Sequence, residues 1–443
     1  MNRALDNDLY FGLTLLIALA GIGVMLIFAT KNHFQTRHEQ VKLFLVALTA
    51  RFAVSIIIYE FGMVKVFGDE DSSGWFSGIG LMTEWQRHHL GLLDLPNVLL
   101  GAYDGQHRGY GYLTGLLFYL TDSPARLPAA ALNCFFGAMT VVFVYRIAIT
   151  LFSRWSAVRA GWLACFFPSL IIWSAQTLKE PIVIFLETVA LYACIQLKRT
   201  GFSVRYILLC VAAIALLPPF RFYASYLAGA SALLALAIPR LRGGTSSIKS
   251  AIGVAALVIP LVVSSGFLAR NEAQFEKYSQ LKQIENFRVT IAAGSGSGVE
   301  NRYDLNTTSG LILGTLVGAA HLMLAPFPWQ LGGGSMRMVL TTPELLVWWW
   351  LFFAGLVPGF YYAIRSKFSE CQPMFFFIAG LGLLYSMMFG NVGLIFRQRA
   401  QLLPWLLVIA VVGLEQREIR KILKRRAPQQ PQNGNPALQP KQA

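Results

Sequence analysis

Residues 43–66 read LFLVALTARFAVSIIIYEFGMVKV, and the acidic tetrapeptide Gly68-Asp69-Glu70-Asp71 follows after Phe67. As a helix, an apolar run of this length matches the hydrocarbon thickness of a bilayer. Three consecutive carboxylates at a membrane surface repel one another, and such clusters often bind a cation or act on a substrate. The stretch therefore predicts a membrane helix that ends in an acidic segment, which is either a site of this kind or a solvated loop.

Apolar runs of similar length recur along the whole chain. Hydrophobic residues make up 55% of its 443 residues and charged residues 13%, whereas soluble domains carry roughly 25% charged residues. We predict an all-α, polytopic transmembrane helical bundle of about 11 spans, with short interfacial or re-entrant helices over residues 110–120 and 311–328. The predicted spans are residues 10–30, 43–66, 128–152, 158–175, 181–197, 205–219, 222–239, 251–268, 344–364, 374–391 and 401–414.

The distribution of Lys and Arg predicts the orientation of these spans. If the spans alternate and the amino terminus is outside, the inner loops and the carboxyl tail hold more than half of the 37 basic residues. The net charge of +15 then reflects orientation, and no nucleic-acid partner is expected. The alternation requires residues 311–328 to enter and leave on the outer side, as a helix broken at Gly314, Gly318, Pro326 and Pro328.

Two long loops, residues 67–108 and 271–309, are then outside. In the second loop, apolar residues recur at helical spacing from Phe275 to Phe287, which predicts an amphipathic helix. The Gly- and Ser-rich residues 292–298 after it predict a flexible connector. The tail after Arg426 is of low complexity, which predicts disorder.

Asp69, Glu70 and Asp71 are the first candidates for catalysis. A carboxylate at the rim of a partly desolvated cavity can take a proton from a sugar hydroxyl or an amine. Asp69 and Asp71 can equally bind a divalent cation such as Mg²⁺ or Mn²⁺ through oxygen. The spacing suits both roles, so both remain open.

Basic residues also lie at the outer ends of spans, where the positive-inside bias does not explain them: Arg126, Lys179, Arg221, Arg397 and Arg399. Converging cations can hold the phosphate of a lipid-linked substrate. They can also reach lipid headgroups or pair with acids such as Glu180. Glu180 precedes Pro181 at the start of a span, where it either caps the helix or faces the same cavity as Asp69.

Two further features lie inside predicted spans. The aromatic cluster from Trp348 to Phe353 predicts a lipid-facing or interfacial belt. Charged residues also fall within apolar runs: Arg51, Glu60, Arg146 and Glu187. Arg51 and Glu60 do not share a helical face, so each needs a partner from another helix.

With these residues placed, stretches of the first half carry a family resemblance. They are Phe67-Gly68-Asp69-Glu70; Gly109-Tyr110-Gly111-Tyr112-Leu113 with Arg126-Leu127-Pro128; Val144-Tyr145-Arg146; and Phe167-Pro168-Ser169-Leu170 with Lys179-Glu180-Pro181. In this order the chain resembles the GT-C superfamily of polyprenyl-phosphate-sugar-dependent glycosyltransferases, and in particular the protein mannosyltransferase and aminoarabinose transferase branch. The resemblance covers residues 40–240.

The resemblance implies a GT-C-like fold in which Asp69 is the base that activates the acceptor and Glu70 supports it. It also implies a sugar donor on polyprenyl phosphate or pyrophosphate and inversion at the anomeric carbon. The chain departs from the pattern by one additional span before the acidic motif and by the third acid, Asp71. The acceptor remains open between a glycan, a lipid and a protein. The candidate substrate contacts are Asp71, Arg126, Lys179, Glu180, Arg221, Arg397 and Arg399.

These expectations divide the chain into segments and assign it a place in the cell. The segments are residues 1–42, with an additional span; 43–268, the GT-C-like core; 269–309, an outer loop; 310–415, a second transmembrane part; and 416–443, a basic inner tail. We expect a bacterial inner membrane protein of polysaccharide or glycoconjugate biosynthesis with its site on the outer face. Two alternatives stay open: a polysaccharide polymerase or O-antigen ligase, and a lipid-linked oligosaccharide flippase or other transporter.

Overall fold

Helices make up most of the described part of the chain. The computed structural model describes residues 2–30, 34–67, 73–91, 94–103, 108–238, 246–264, 280–294, 298–299, 303–333 and 336–426, and no β-strand occurs among them. The all-α prediction is confirmed. The α-helices are α1 Asn2–Ala29, α2 Arg37–Glu60, α3 Val64–Phe67, α4 Ser73–Arg87, α5 Leu95–Leu100, α6 Gly109–Thr121, α7 Arg126–Leu151, α8 Arg154–Phe166, α9 Pro168–Ser174, α10 Glu180–Thr200, α11 Val204–Leu216, α12 Phe222–Ala237, α13 Ser246–Ser264, α14 Leu281–Ala293, α15 Thr308–Leu324, α16 Met336–Leu351, α17 Val357–Met387 and α18 Val392–Arg426.

Several of these helices are long and apolar enough to cross a membrane. Among the described residues there are 6: Asp8–Ala29, Arg37–Glu60, Arg126–Leu151, Glu180–Thr200, Thr342–Met387 and Val392–Arg425. The bent pair α8 and α9 adds a seventh candidate, and α11, α12, α15 and Ile248–Val258 of α13 are shorter apolar helices. These features fit a multi-pass membrane protein, whereas the count of about 11 crossings stays a prediction.

Residues 158–175 do not form the single straight helix that the sequence predicted. The axes of α8 and α9 differ by 54°, because Pro168 at the start of α9 lacks the N–H that would continue the hydrogen-bond ladder. Arg51 of α2 compensates for the break: it donates to the carbonyl oxygens of Cys165 and Ala164, each at 3.0 Å. The partner that Arg51 required from another helix is therefore backbone, not a carboxylate.

The helix formed by the run at residues 43–66 ends earlier than predicted. α2 ends at Glu60, and Gly62 with a φ of +66° turns the chain into the short α3. Glycine reaches this left-handed conformation without the steric cost that a Cβ imposes. The acidic tetrapeptide thus follows a helical turn and a short second helix rather than the end of the span itself.

Helical structure from Thr342 to Met387 covers the predicted span 344–364 and most of the predicted span 374–391, whose last four residues are not helical. These 46 residues measure roughly 69 Å at about 1.5 Å per residue. That length is more than twice the thickness of the hydrocarbon core of a bilayer. A π-helix, Phe352–Leu356, and non-helical backbone at Lys367 interrupt the stretch. Lys367 belongs to the predicted inner turn, so the helix is interrupted where the sequence placed the end of a crossing.

The interior of the bundle is built around α7, α10 and α18. About nine tenths of the apolar window of each of these helices is buried inside the protein. α18 packs against α17 and the π-helix with its backbone in contact at Gly413: a Cβ there would collide with the carbonyl oxygen of Gly355. Small residues that let helix backbones touch are the usual device of membrane helix packing. α10 and α18 are therefore rigid supports for side chains at their ends.

The outer-loop helices are only partly as predicted. α14 confirms a helix in the second loop, although the first part of the predicted helix, including Phe275, lies outside the described residues. Gly314 and Gly318 do not break α15, which is continuous until Leu324. Gly318 instead allows close packing on the carbonyl of Ser386. Whether α15 crosses the membrane stays a prediction. The predicted connector at residues 292–298 is wrong at its start, because Ala292 and Ala293 belong to α14. Residues 295–297 and the tail after Arg426 lie outside the described residues.

Candidate functional site

The predicted catalytic acids cannot be compared with the structure. Asp69, Glu70 and Asp71 lie outside the described residues, which resume with α4. The assignments of Asp69 as base and of Asp69 and Asp71 as cation ligands therefore stay predictions. The described residues do include all the candidate cations and Glu180.

Glu180 is the centre of a charged cluster at the start of α10. Pro181 occupies the first turn of this helix, where a missing N–H costs nothing. The Glu180 carboxylate is buried, and each of its oxygens accepts from a different arginine: Oε1 from Arg221 and Oε2 from Arg397, both at 2.8 Å. Glu180 therefore does more than cap α10: its two ion pairs join α10 to the start of α12 and to α18.

Arg221 is held deep in this cluster. It precedes α12 with extended backbone, and its Nη1 donates to the Tyr385 hydroxyl at 2.9 Å. Tyr385 in turn contacts the Tyr223 hydroxyl at 3.2 Å and donates to Gln401. A buried arginine with one carboxylate and one hydroxyl partner is fixed in orientation, so Arg221 is a rigid wall of the cluster.

Arg397 forms the more accessible side. Its side chain is 28% exposed, against 10% for Arg221. The guanidinium lies 5.7 Å from the centre of the Trp173 ring, a cation–π distance. Because part of the Arg397 side chain is accessible from outside the bundle, an incoming anion can reach it without displacing the buried ion pair of Glu180 and Arg221.

The cluster carries an excess of positive charge. Lys179, Arg221 and Arg397 outnumber Glu180 by two charges. Burial and then the neighbouring Arg221 lower the pKa of Lys179 to about 7, since both disfavour its cationic form. Glu187, farther along α10, is fully buried, and neither of its oxygens has a hydrogen bond among the described residues. With Lys179 protonated, one positive charge remains in excess even if Glu187 is ionised, so the cluster favours an anion below about pH 7.

Arg399 is not part of this cluster, although it is only two residues from Arg397. Its Nη1 donates to the carbonyl oxygen of Ala325 at 2.8 Å, and the guanidinium lies 5.5 Å from the Trp348 ring centre. The side chain is 1% exposed. The structure does not bring Arg397 and Arg399 together, because a helix turns the two side chains to different faces, and contact of either with a phosphate stays a prediction.

Arg126 also lies apart, at the start of α7. Its guanidinium is 4.2 Å from the centre of the Trp75 ring and 5.8 Å from that of Tyr59. The Tyr59 hydroxyl accepts from the backbone N–H of Thr177 at 3.0 Å, which links the end of α2 to the segment before Lys179. Arg126 thus lies beside Tyr59, at the end of α2 that precedes α3 and, in sequence, the acidic segment.

Sequence reasoning missed the aromatic and amide partners of the cluster. Tyr385, Gln401 and Trp173 are buried. Tyr385 and Trp173 are far in sequence from Arg221 and Arg397, which they contact, and Gln401 accepts from Tyr385. Tyr223 was the one local clue, because it follows Arg221 closely at the start of a helix. Trp348, predicted to face lipid, is fully buried, so that the aromatic belt is restricted to its neighbours.

Comparison with known proteins leaves the family resemblance as an expectation. No model of a known protein family matches the chain, and no curated protein matches it. Function is therefore inferred from the residues of the cluster and from the acidic segment.

Proposed function

We propose that the protein is an integral-membrane glycosyltransferase. It would take a sugar from a polyprenyl-phosphate or pyrophosphate donor and transfer it to a glycan, lipid or protein acceptor. The observation that carries the proposal is the positive excess of Lys179, Arg221 and Arg397 around Glu180 at the ends of apolar helices. Such a cluster suits the phosphate of a donor whose tail lies in the bilayer.

The reaction requires a base and an anion site. The base takes the proton of the acceptor hydroxyl or amine, the acceptor atom bonds to the anomeric carbon, and the bond from that carbon to the phosphate oxygen breaks. Asp69, supported by Glu70, is the proposed base. Negative charge then grows on the leaving phosphate, where Arg397 and Arg221 would stabilise it. Their fixed positions mean that little reorganisation is needed as the charge develops.

Each cation has a distinct part in this proposal. Arg397, the more exposed of the two arginines in the cluster, would make the first contact with the donor phosphate through paired N–H groups. Arg221 would act from its fixed position beside Tyr385. Lys179 would add a charge that depends on pH. Asp71 and Arg126 stay candidate substrate contacts, whereas Arg399 is proposed to hold the fold.

The finer expectations belong to the same proposal. A GT-C-like fold of about 11 spans, an outer-face site and a bacterial inner membrane location agree with one another, since a donor already activated outside needs no nucleotide-binding domain. Cell-surface polysaccharide or glycoconjugate biosynthesis is the process that would use such an enzyme.

Transfer from a radiolabelled polyprenyl-phosphate sugar by purified protein tests the proposal. We expect label to pass to an acceptor with the wild type, and Arg397→Gln to raise the donor KM roughly tenfold, about 1.4 kcal/mol. The matched control is Arg159→Gln. Arg159 of α8 stacks on Trp155. It lies near the end of α7, where the Thr150 carbonyl accepts from Arg199 at the far end of α10 from Glu180. An equal loss of activity in both variants would contradict the proposal. So would a wild type that binds polyprenyl phosphates no more tightly than it binds neutral polyprenol.

A further inference from the structure

A groove lies on the surface of the bundle beside the π-helix Phe352–Leu356. Its volume is about 510 Å³, and Trp349, Trp350, Phe353, Ala354 and Arg417 line it. Trp350 and Phe353 are 58% and 64% exposed. Aromatic side chains therefore form its walls, and a single cation provides its charge.

The backbone of the π-helix explains why Arg417 belongs to this groove. The wider turn of a π-helix changes the helical hydrogen-bond pattern, and such turns often occur at functional sites. Arg417 of α18 donates from Nη1 to the carbonyl oxygen of Ala354 at 3.0 Å. That bond fixes the guanidinium against the groove, while the exposed side chain keeps its other N–H groups available.

Arg417 also lies where α18 changes from apolar to basic. The helix is buried up to Gly413 and then exposes a cationic segment, whose basic residues are Arg417, Arg420, Lys421, Lys424 and Arg425. Two carboxylates are close in sequence. Glu415 accepts from Ser153 and Ser156 at 2.6 Å, and Glu418 is exposed. Basic residues dominate this segment, which marks the boundary between membrane and water.

We propose that this groove binds an anionic phospholipid, with the phosphate on Arg417 and an acyl chain along Trp350 and Phe353. Apolar walls open to the bilayer suit an acyl chain, and a fixed guanidinium suits a phosphate, to which it can donate twice. Basic residues near an anionic membrane surface add to this attraction. A lipid therefore satisfies both the walls and the charge, whereas a free phosphate would satisfy the charge alone.

The groove is separate from the cluster around Glu180. Arg397 and Arg417 both belong to α18, and at about 1.5 Å per residue their backbones lie about 30 Å apart along the helix. The inference does not depend on the proposed transfer reaction, and its failure would leave that proposal unchanged.

Native mass spectrometry of the purified protein, titrated with phosphatidylglycerol or phosphatidylcholine of identical acyl chains, tests the inference. We expect the wild type to retain phosphatidylglycerol with higher affinity. Arg417→Gln should lower that affinity roughly tenfold, and Arg417→Lys should lower it less. The control Arg420→Gln, on the same basic segment but outside the groove, should change it less than twofold.

Trp350→Ala keeps the bond between Arg417 and Ala354, so it tests the apolar wall even if Arg417 variants unfold. It should lower the affinity for both lipids. Equal retention of the two lipids by the wild type, or the same loss in Arg417→Gln and Arg420→Gln, would overturn the proposal. Displacement of phosphatidylglycerol by millimolar inorganic phosphate would also overturn it, because the groove would then be a site for a soluble anion.

Discussion

Glu180 allows two arginines to lie close together at the end of an apolar helix. Without it, Arg221 and Arg397 would repel each other, and removing one partner from a buried pair typically leaves an uncompensated charge. Because the carboxylate neutralises one cation, the remaining charge is available to a ligand. Glu180→Gln is therefore unsuited to testing substrate binding, since the same change would disturb the fold.

Asp69 is the residue on which the proposed chemistry depends. Asp69→Asn removes the ability to accept a proton and should lower the transfer rate by roughly 10²–10⁴-fold. Insertion and thermal stability should stay near those of the wild type. Full activity in Asp69→Asn together with loss in Asp71→Asn would move the role of base, or of cation ligand, to Asp71.

Lys179 should make donor binding depend on pH. Its pKa is lowered to about 7, so its positive charge is present below pH 7 and is lost as pH rises through that value. A phosphodiester keeps one negative charge across this range, and affinity for the donor should fall between pH 6 and pH 8. Binding of a labelled donor measures the effect. Lys179→Arg should flatten the profile. Lys42→Arg should not, because Lys42 is near the start of α2, at the opposite end from Tyr59, which contacts the segment before Lys179.

Arg397 and Arg399 should differ in what they contribute. Arg397→Ala removes one of the two ion pairs of Glu180, which keeps Arg221, and should raise the donor KM while lowering the thermal unfolding temperature less than Arg399→Ala does. Arg399→Ala leaves the carbonyl of Ala325 without its donor inside the protein and should lower that temperature. Measuring both quantities on both variants separates the roles. A higher KM with unchanged stability in Arg399→Ala would return Arg399 to the phosphate site.

Helix packing near the π-helix depends on glycine. A methyl group at Gly413 would collide with the backbone at Gly355, whereas a methyl group at Gly382 of α17 meets no atom within 4 Å. Gly413→Ala should therefore lower the unfolding temperature in detergent. Gly382→Ala should hold or raise it, because alanine has a helix propensity about 1 kcal/mol better than glycine. Equal effects of the two substitutions would show that the close approach is not required.

The elements were predictable wherever an apolar run and its boundaries agreed. Residues 128–152 and 181–197 match α7 and α10 closely, since Pro181 and the flanking polar residues mark the ends. Residues 158–175 were not predictable as a bend from hydropathy alone, because Pro168 interrupts hydrogen bonding without interrupting the apolar run. The buried role of Arg51 followed from this bend and could not be predicted without it.

For the molecule as a whole, sequence reasoning found the cations but not their grouping. Lys179, Glu180, Arg221 and Arg397 were singled out because they lie at span ends. Their convergence depends on how α10, α12 and α18 pack, and no local pattern encodes that packing. Arg399 was assigned to the same site by proximity in sequence, which a helix does not preserve in space.

The predicted orientation can be tested with single cysteines. Because all five native cysteines are buried, they can be replaced, and cysteines can then be introduced at Ser123, Asn306 and Lys421. The basic end of α18 should be inside, because Lys and Arg concentrate in the loops assigned to that side. On intact cells, an impermeant thiol reagent should label Ser123→Cys and Asn306→Cys but reach Lys421→Cys only after the membrane is opened. The reverse pattern would put the cluster around Glu180 on the cytoplasmic side, and an outer-face lipid-linked donor would no longer be possible.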